Sequence, residues 1–150
     1  MKSMGIIALL AVLSAGGILP AAEKMSFQTA KAQAFELHRS LIADASPQVR
    51  AKITASAQAA RAYLAKCGRK CDLHTFLTKD LRRRFARPTG EQFRLLEALA
   101  FAEAFEDMGQ LDQLDLQDAM QKQSQILQLL SNLSKMEHDT LKAIIQNMRG

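Results

Sequence analysis

The chain has 150 residues, with 20 Lys and Arg against 15 Asp and Glu, and it contains 2 Cys and no Trp. This length is enough for one domain with a modest core. Ala, Leu, Gln, Lys, Arg and Glu dominate, and no stretch alternates apolar and polar residues in the manner of a strand, which excludes a sheet-based fold. The composition therefore predicts an all-α protein.

Residues 1–22 have the layout of a secretory signal peptide. Lys2 precedes an apolar run from Gly5 to Leu13, and small residues follow near its end. An uncleaved N-terminal anchor is the alternative, but about 20 apolar residues are needed to span a bilayer. Here the apolar stretch is interrupted after Leu13 by Gly16, Gly17 and Pro20. Residues 23–150 are expected to form a single helical domain in the periplasm or the medium, with no transmembrane segment after cleavage.

Two helices are predicted in the first half of that domain. The first runs from about Ser26 to Ala43, where apolar residues recur every three or four positions and form one stripe. The second opens at Ser46 and Pro47, a hydroxyl N-cap followed by proline at the first helical position, and it ends by Gly68. Short loops favour antiparallel neighbours, so the prediction is a small antiparallel bundle of about five helices.

The third and fourth helices are predicted from their capping residues. Asp72 is placed as the N-cap of the third helix, which ends at Pro88. Thr89 and Gln92 fit the capping box, in which a hydroxyl precedes Gln by three residues. Apolar residues cover most of the circumference of the fourth helix, so we expect it to be the most buried, with Gly109 as its C-terminal stop.

The fifth helix is predicted from about residue 113 to 149. If continuous, its part from Leu116 to Met148 is about 50 Å long, against about 20 to 30 Å for each earlier helix. Its apolar seam is then longer than the surface that those helices can cover. We therefore expect the helix to project and to contact a protein partner or a second copy of the chain. The alternative is a break between Ser131 and Asp139, after which the last segment folds back. The seam positions expected to contact the partner are Leu130, Leu133, Glu137, Leu141, Ile144 and Met148.

Cys67 and Cys71 are expected to form a structural disulfide between the second and third helices. Two cysteines in an exported chain favour a disulfide, and their spacing closes a small ring around Gly68. A redox-active pair has two intervening residues rather than three, and covalent haem attachment requires His where Asp72 stands. A metal site that includes His74 lacks an obvious fourth ligand. Intermolecular pairing is the remaining alternative.

Charge is distributed unevenly along the chain. Residues 23–88 carry 14 basic and 5 acidic side chains, whereas residues 89–150 carry 5 basic and 10 acidic ones. The simpler explanation is that the two regions pair with each other within the fold or between protomers. The alternative is that the basic region binds an anionic partner.

The densest basic segment, residues 66–87, is where an anionic partner is expected to bind. Lys79, Arg83 and Arg87 are spaced by four residues, so on a helix they share one face. These three are the candidate residues for gripping a phosphate, a lipid head group or an acidic protein surface. Pairing within the fold is again the alternative.

No pattern in the sequence predicts catalysis, a cofactor or a metal. His38, His74 and His138 have no helical His partner at metal-binding spacing, and there is no Gly-rich nucleophile turn or phosphate loop. The leading hypothesis is a non-enzymatic, exported interaction or scaffold protein that binds a partner, or itself, through the C-terminal amphipathic helix.

The alternative function is a binding module for anionic ligands that uses segment 66–87. Lipid head groups, polyanions and nucleic acid all belong to that ligand class. Export and poor aromatic interleaving count against nucleic acid. A third hypothesis is a hydrolase with an unfamiliar helical fold, and an activity that depends on a His would support it.

Overall fold

The computed structural model describes residues 27–67, 71–106 and 125–149. Within these ranges the chain is all-helical and contains no strand, which confirms the predicted class. A short 3₁₀ helix, Ile42–Asp44, follows the first α-helix. The α-helices are α1 (Phe27–Leu41), α2 (Pro47–Cys67), α3 (Leu73–Arg84), α4 (Gly90–Glu106), α5 (Gln125–Ser134) and α6 (His138–Gln146). The predicted signal peptide, the stop at Gly109 and the predicted start of the last helix lie outside the described residues.

Three of these helices begin at the capping residues that the sequence predicts. The Ser46 hydroxyl accepts a hydrogen bond from the Val49 N–H at 3.2 Å. Asp72 accepts one from the Thr75 N–H at 3.0 Å and another from the Thr75 hydroxyl at 2.7 Å. These bonds hold the pKa of Asp72 below its ordinary value. Each cap satisfies backbone donors that the first turn of a helix leaves without a partner.

The capping box at the start of α4 is reciprocal. The Gln92 N–H donates to the Thr89 hydroxyl at 3.1 Å, and the Thr89 N–H donates to the Gln92 side-chain oxygen at 3.0 Å. The two bonds fix where the chain leaves the α3–α4 turn and enters α4.

Helix α4 is the centre of the structure. It contacts every other α-helix in the described ranges, and all residues from 95 to 102 are buried. A helix that is apolar around most of its circumference is stable only when neighbours cover it on several sides. The prediction that the fourth helix is the most buried one agrees with this position. The run from 95 to 102 also includes one charged side chain, that of Glu97.

The prediction of one long C-terminal helix is wrong for the part that the structure describes. Helix α5 ends at Ser134 and α6 begins at His138. The Ser134 hydroxyl bonds back to the Ser131 carbonyl at 2.7 Å, and the Met136 N–H bonds to the Leu133 carbonyl at 3.0 Å, which closes the end of α5. Glu137 is extended, with ψ 144°, and its carbonyl starts α6.

The break lets the last segment fold back onto the core. Leu141, Ile145 and Met148 are buried, and Ile144 is half-buried against the core. Burial of such a side chain is worth about 1.5 to 3 kcal/mol. Loss of a helical hydrogen bond costs only about 0.5 to 1.5 kcal/mol. Burying three side chains is therefore worth more than the few helical hydrogen bonds that are lost where the helix breaks. No helix within the described ranges combines the length and the apolar character needed to cross a membrane.

Candidate functional site

The densest basic sequence lies where α3 ends and the chain turns towards α4. The last turn of α3 contains Arg82, Arg83 and Arg84. Phe85 then becomes extended, is 4% exposed, and closes the helix with an N–H bond to the Leu81 carbonyl at 2.9 Å. The buried phenyl ring thus ends the helix three residues before Pro88, where the sequence places its end. Cations at a helix C-terminus are stabilised by the helix dipole.

Because α3 ends at Arg84, Arg87 does not continue its face. Arg87 follows the helix with φ 46°, a left-handed backbone conformation. The shared helical face that the sequence predicts therefore holds for Lys79 and Arg83 but not for Arg87. All three residues are exposed.

A buried carboxylate lies beneath the arginines of the last turn. The Asp80 side chain is only 2% exposed, and its Oδ2 accepts a hydrogen bond from Arg84 Nε at 2.7 Å. Arg83 Nη2 donates to the other oxygen, Oδ1. Burial raises the pKa of Asp80, but the hydrogen bond and charge of Arg84, together with the bond from Arg83, outweigh burial and hold that pKa below its ordinary value. One carboxylate serves two guanidinium groups, so the pair of arginines keeps an excess positive charge.

Two further cations lie on aromatic rings and connect α3 to its neighbours. The Arg82 guanidinium lies 4.9 Å from the centre of the Phe93 ring on α4. The Lys52 ammonium, from α2, lies 5.3 Å from the centre of the Phe85 ring. Such contacts are worth about 0.5 to 1 kcal/mol at exposed sites. They bring basic side chains from α2 and α3 to the same turn.

We call this group of side chains the basic corner. Its acidic members are the buried Asp80 and the exposed Glu91. Within the described residues, no ion pair joins Lys79, Arg87 or Arg94 to a carboxylate. Guanidinium groups bind phosphate and carboxylate through two parallel hydrogen bonds, so the corner has the chemistry of an anion-binding surface. The basic members are Lys52, Lys79, Arg82, Arg83, Arg84, Arg87 and Arg94.

A cystine and an aromatic stack hold the start of α3 against the end of α2. Cys67 and Cys71 are at disulfide distance, with Cα atoms 5.3 Å apart, as the predicted pairing requires. The Tyr63 ring stacks on Phe76 with ring centres 4.5 Å apart. The Tyr63 hydroxyl accepts a hydrogen bond from the Asp72 N–H at 3.0 Å. These contacts set the direction in which α3 carries its basic end.

A second buried carboxyl group lies on the central helix. Glu97 has a fully buried side chain, and its Oε2 lies 2.5 Å from Nδ1 of His74 on α3. Its other oxygen, Oε1, has no hydrogen-bond partner among the residues that the structure describes. Burial raises the pKa of Glu97 above its ordinary value, although the hydrogen bond and charge of His74 act in the opposite direction.

Another acidic residue of α4 joins three helices. Glu103 Oε1 accepts a hydrogen bond from the Thr54 hydroxyl of α2 at 2.7 Å, and Oε2 lies 3.1 Å from Nε2 of His38 on α1. Arg61 donates to the Glu103 backbone carbonyl at 3.0 Å. Glu97 and Glu103 of α4 therefore contact His74, Thr54 and His38 from the basic half of the chain, none of which is a Lys or Arg. The basic corner itself takes no part in these contacts.

Two surface clefts lie away from the basic corner. One, of about 190 Å³, lies beside His38 and is lined by Phe35, Arg39, Ala102 and Glu106. The other, of about 500 Å³, is an open depression between the start of α2 and the end of α6. No three His, Cys, Asp or Glu side chains in the described ranges are grouped closely enough to hold a metal ion.

The residues that the sequence assigns to a helix partner are mostly used inside the chain. Only Glu137 is exposed, and Ile144 is half-buried against the core. The other four are buried in the core cluster together with residues of α1 and α4: Leu130, Leu133, Leu141 and Met148.

Sequence reasoning missed three residues that matter to these sites. Asp80 follows Leu77 by three residues and so lies on the apolar stripe of α3, and Glu97 interrupts an otherwise apolar run. A charged residue at such a position signals a buried ionisable group. Arg94 gave no comparable signal, because only the folded chain brings the start of α4 to the end of α3.

Comparison of the chain with protein-family models, with curated proteins and with solved structures found no match.

Proposed function

We propose that this is an exported, non-enzymatic binding protein that holds an anionic partner through the basic corner. A small antiparallel helical bundle would serve as its scaffold. This proposal adopts the alternative function from the sequence, a binding module for anionic ligands that uses segment 66–87. The C-terminal helix loses its role as the contact surface, because its apolar seam packs against its own chain.

The exposure of Arg83 is the single observation that carries this proposal. Its side chain is 72% exposed even though it bonds to the buried Asp80. The Arg83 guanidinium thus reaches solvent from a helical turn that is held by hydrogen bonds to the buried Asp80. A preorganised side chain loses less conformational entropy when it binds a ligand than a free one does.

The charge balance of the corner supports the same conclusion. Asp80 is already shared between Arg83 and Arg84, and among the described residues Glu91 is the other carboxylate of the corner. In the part of the chain that the structure describes, the corner therefore contains seven basic groups and two acidic ones. An excess of one sign at one end of a small domain attracts ligands of opposite charge and speeds their association.

Charge reversal with a matched control tests the proposal. In the variant Arg87→Glu/Arg94→Glu, both residues belong to the corner and neither contacts Asp80. The control Arg39→Glu/Lys142→Glu makes the same change in net charge on exposed parts of α1 and α6. Retention on immobilised heparin, a polyanion, is measured as the salt concentration needed for elution.

We expect the corner variant to elute at clearly lower salt than the wild type, and the control variant to elute close to it. Helical content measured by circular dichroism must be unchanged in both variants. If retention fell equally in the two variants, the effect would depend on net charge alone, and the proposal would be overturned. Weak retention of the wild type would also overturn it.

A further inference from the structure

We infer that the partner of the basic corner is the phosphate layer of an anionic phospholipid bilayer. This inference rests on the proposed function and names the source of the anion. A bilayer phosphate and a free phosphate ion would bind through the same chemistry, which is the bidentate contact between a guanidinium group and phosphate oxygens. The arrangement of the cations and their surroundings favours a bilayer over the other sources.

The cations of the corner diverge rather than converge. Three consecutive residues of a helix span about 200°, so Arg82, Arg83 and Arg84 point in different directions. Arg82 lies across Phe93, Arg84 bonds to Asp80 and is 28% exposed, and Arg83 reaches into solvent. No single small phosphate touches all of them. A layer of many mobile phosphates offers a separate phosphate to each of the cations that reach the surface.

The side-chain types also fit a head-group layer. Arginines make up most of the corner, and a guanidinium binds phosphate oxygens in pairs where an ammonium acts as a point charge.

Few groups of the corner suit single-stranded nucleic acid. Binding of unpaired bases relies on exposed aromatic faces for stacking. In the described residues near the corner, one face of Phe93 is covered by Arg82, and Phe85 is buried beneath Lys52. Tyr63 and Phe76 stack on each other.

An acidic protein partner fits less well than a bilayer. The centre of a stable protein interface is enriched in aromatic and other apolar residues. Around the α3–α4 turn the exposed residues are small or polar apart from the arginines: Ala86, Thr89, Gly90 and Glu91. A surface of this kind supports peripheral, salt-sensitive adsorption at the level of the head groups and no insertion into the hydrocarbon layer.

The expected loss of vesicle binding can be calculated from the number of charges that the variant reverses. Each Lys or Arg close to an anionic bilayer contributes about 1 kcal/mol, which corresponds to about fivefold in partitioning. Reversing two arginines removes two attractions and adds two repulsions. We therefore expect Arg87→Glu/Arg94→Glu to weaken vesicle binding by about two orders of magnitude or more.

Vesicle co-sedimentation tests the inference with the protein as isolated from its producing cell. One set of vesicles contains phosphatidylglycerol mixed into phosphatidylcholine, and the other contains phosphatidylcholine alone. The wild type, Arg87→Glu/Arg94→Glu and the control Arg39→Glu/Lys142→Glu are compared. Soluble inositol hexakisphosphate and double-stranded DNA are the competing ligands.

We expect the wild type and the control to bind the phosphatidylglycerol vesicles and the corner variant to lose binding. Phosphatidylcholine alone should bind none of them, and about 1 M salt, where the Debye length is about 3 Å, should release the protein. Binding to phosphatidylcholine alone, or binding that resists salt, would overturn the inference.

The remaining outcomes separate the lipid inference from the proposed function. If corner-dependent retention on heparin persists without vesicle binding, the lipid inference fails and the proposed function stands. The same holds if inositol hexakisphosphate or DNA displaces the protein from vesicles and binds it more tightly in a corner-dependent way. If no anion binds in a corner-dependent way, both fail.

Discussion

Nδ1 of His74 lies 2.5 Å from Oε2 of Glu97, so a carboxyl group that is completely buried on α4 is bonded to a ring that is 32% exposed on α3. Burial raises the pKa of Glu97 in the folded chain above its ordinary value of 4.5. An acid with a raised pKa favours the folded state when protonated. Its contribution to the free energy of unfolding is therefore present below about pH 4.5 and is lost as the pH rises through the folded pKa.

Glu97→Gln removes the charge while keeping the shape of the side chain. We expect the stability of this variant relative to the wild type to increase between about pH 4.5 and neutral pH, because only the wild type then carries a buried charge. Denaturant unfolding at several pH values measures the difference. Glu91→Gln, on an exposed position of the same helix, is the control and should show no such trend. A Glu97→Gln variant that loses stability as the pH rises would contradict this reasoning.

Asp80 should show the opposite dependence on pH. Its pKa is lowered in the folded chain, so its stabilisation is present above the ordinary value of 3.8 and is lost as the pH falls through the folded pKa. We expect Asp80→Asn to reduce the free energy of unfolding at pH 7 by about 1.5 to 3 kcal/mol, the range for hydrogen bonds to charged groups. The difference from the wild type should shrink in strong acid.

The two arginines bonded to Asp80 provide a matched comparison. Arg83 is 72% exposed and Arg84 is 28% exposed. Exposed ion pairs contribute about 0 to 1 kcal/mol, so Arg83→Gln should cost less stability than Arg84→Gln. The reverse order in a chemical unfolding experiment would show that exposure does not decide the strength of these pairs.

The cystine should be dispensable for folding. We expect the isolated protein to have no titratable thiol, and Cys67→Ser/Cys71→Ser to cost at most about 2 kcal/mol, because the closed ring is short. Stacking of Tyr63 on Phe76 continues to hold the junction after both sulfurs are removed. Thiol titration and chemical unfolding measure the two quantities. Two reactive thiols in freshly isolated protein would indicate redox or metal chemistry.

The folded-back last segment should be essential to the core. Ile145 has 0% exposure, so Ile145→Ala should reduce the free energy of unfolding by about 2 to 5 kcal/mol. The neighbouring Ile144 is half-buried, and Ile144→Ala should cost clearly less. Lys142→Ala, at an exposed position, is the control. Equal small losses for both isoleucines would mean that α6 does not belong to the cooperative core.

Export predicts a change in mass. If residues 1–22 are a signal peptide, intact-mass measurement of protein recovered from the envelope or the medium should show the loss of about 20 residues. Full-length protein that stays embedded in membrane would contradict this prediction.

The sequence by itself determined the features that depend on a few neighbouring residues. The all-α class followed from composition, and Ser46, Asp72 and Thr89 act as caps because each bonds to the N–H three residues ahead. The spacing of the two cysteines likewise predicted their pairing. These interactions close within one turn of chain, so the rest of the fold has little influence on them.

The tertiary structure decided where long-range packing outweighs local preference. The pattern from 113 to 149 favours a continuous helix by a few tenths of a kcal/mol per residue. Burial of Leu141 and Ile145 is worth about 1.5 to 3 kcal/mol each, so the chain breaks and folds back. The basic corner arises in the same way: Phe85 ends α3 because its ring becomes buried, and Arg94 joins the corner because α4 begins at that turn. Contacts between residues far apart in the chain have no local signature, so only the folded arrangement brings Arg94 and Lys52 to the arginines of segment 66–87.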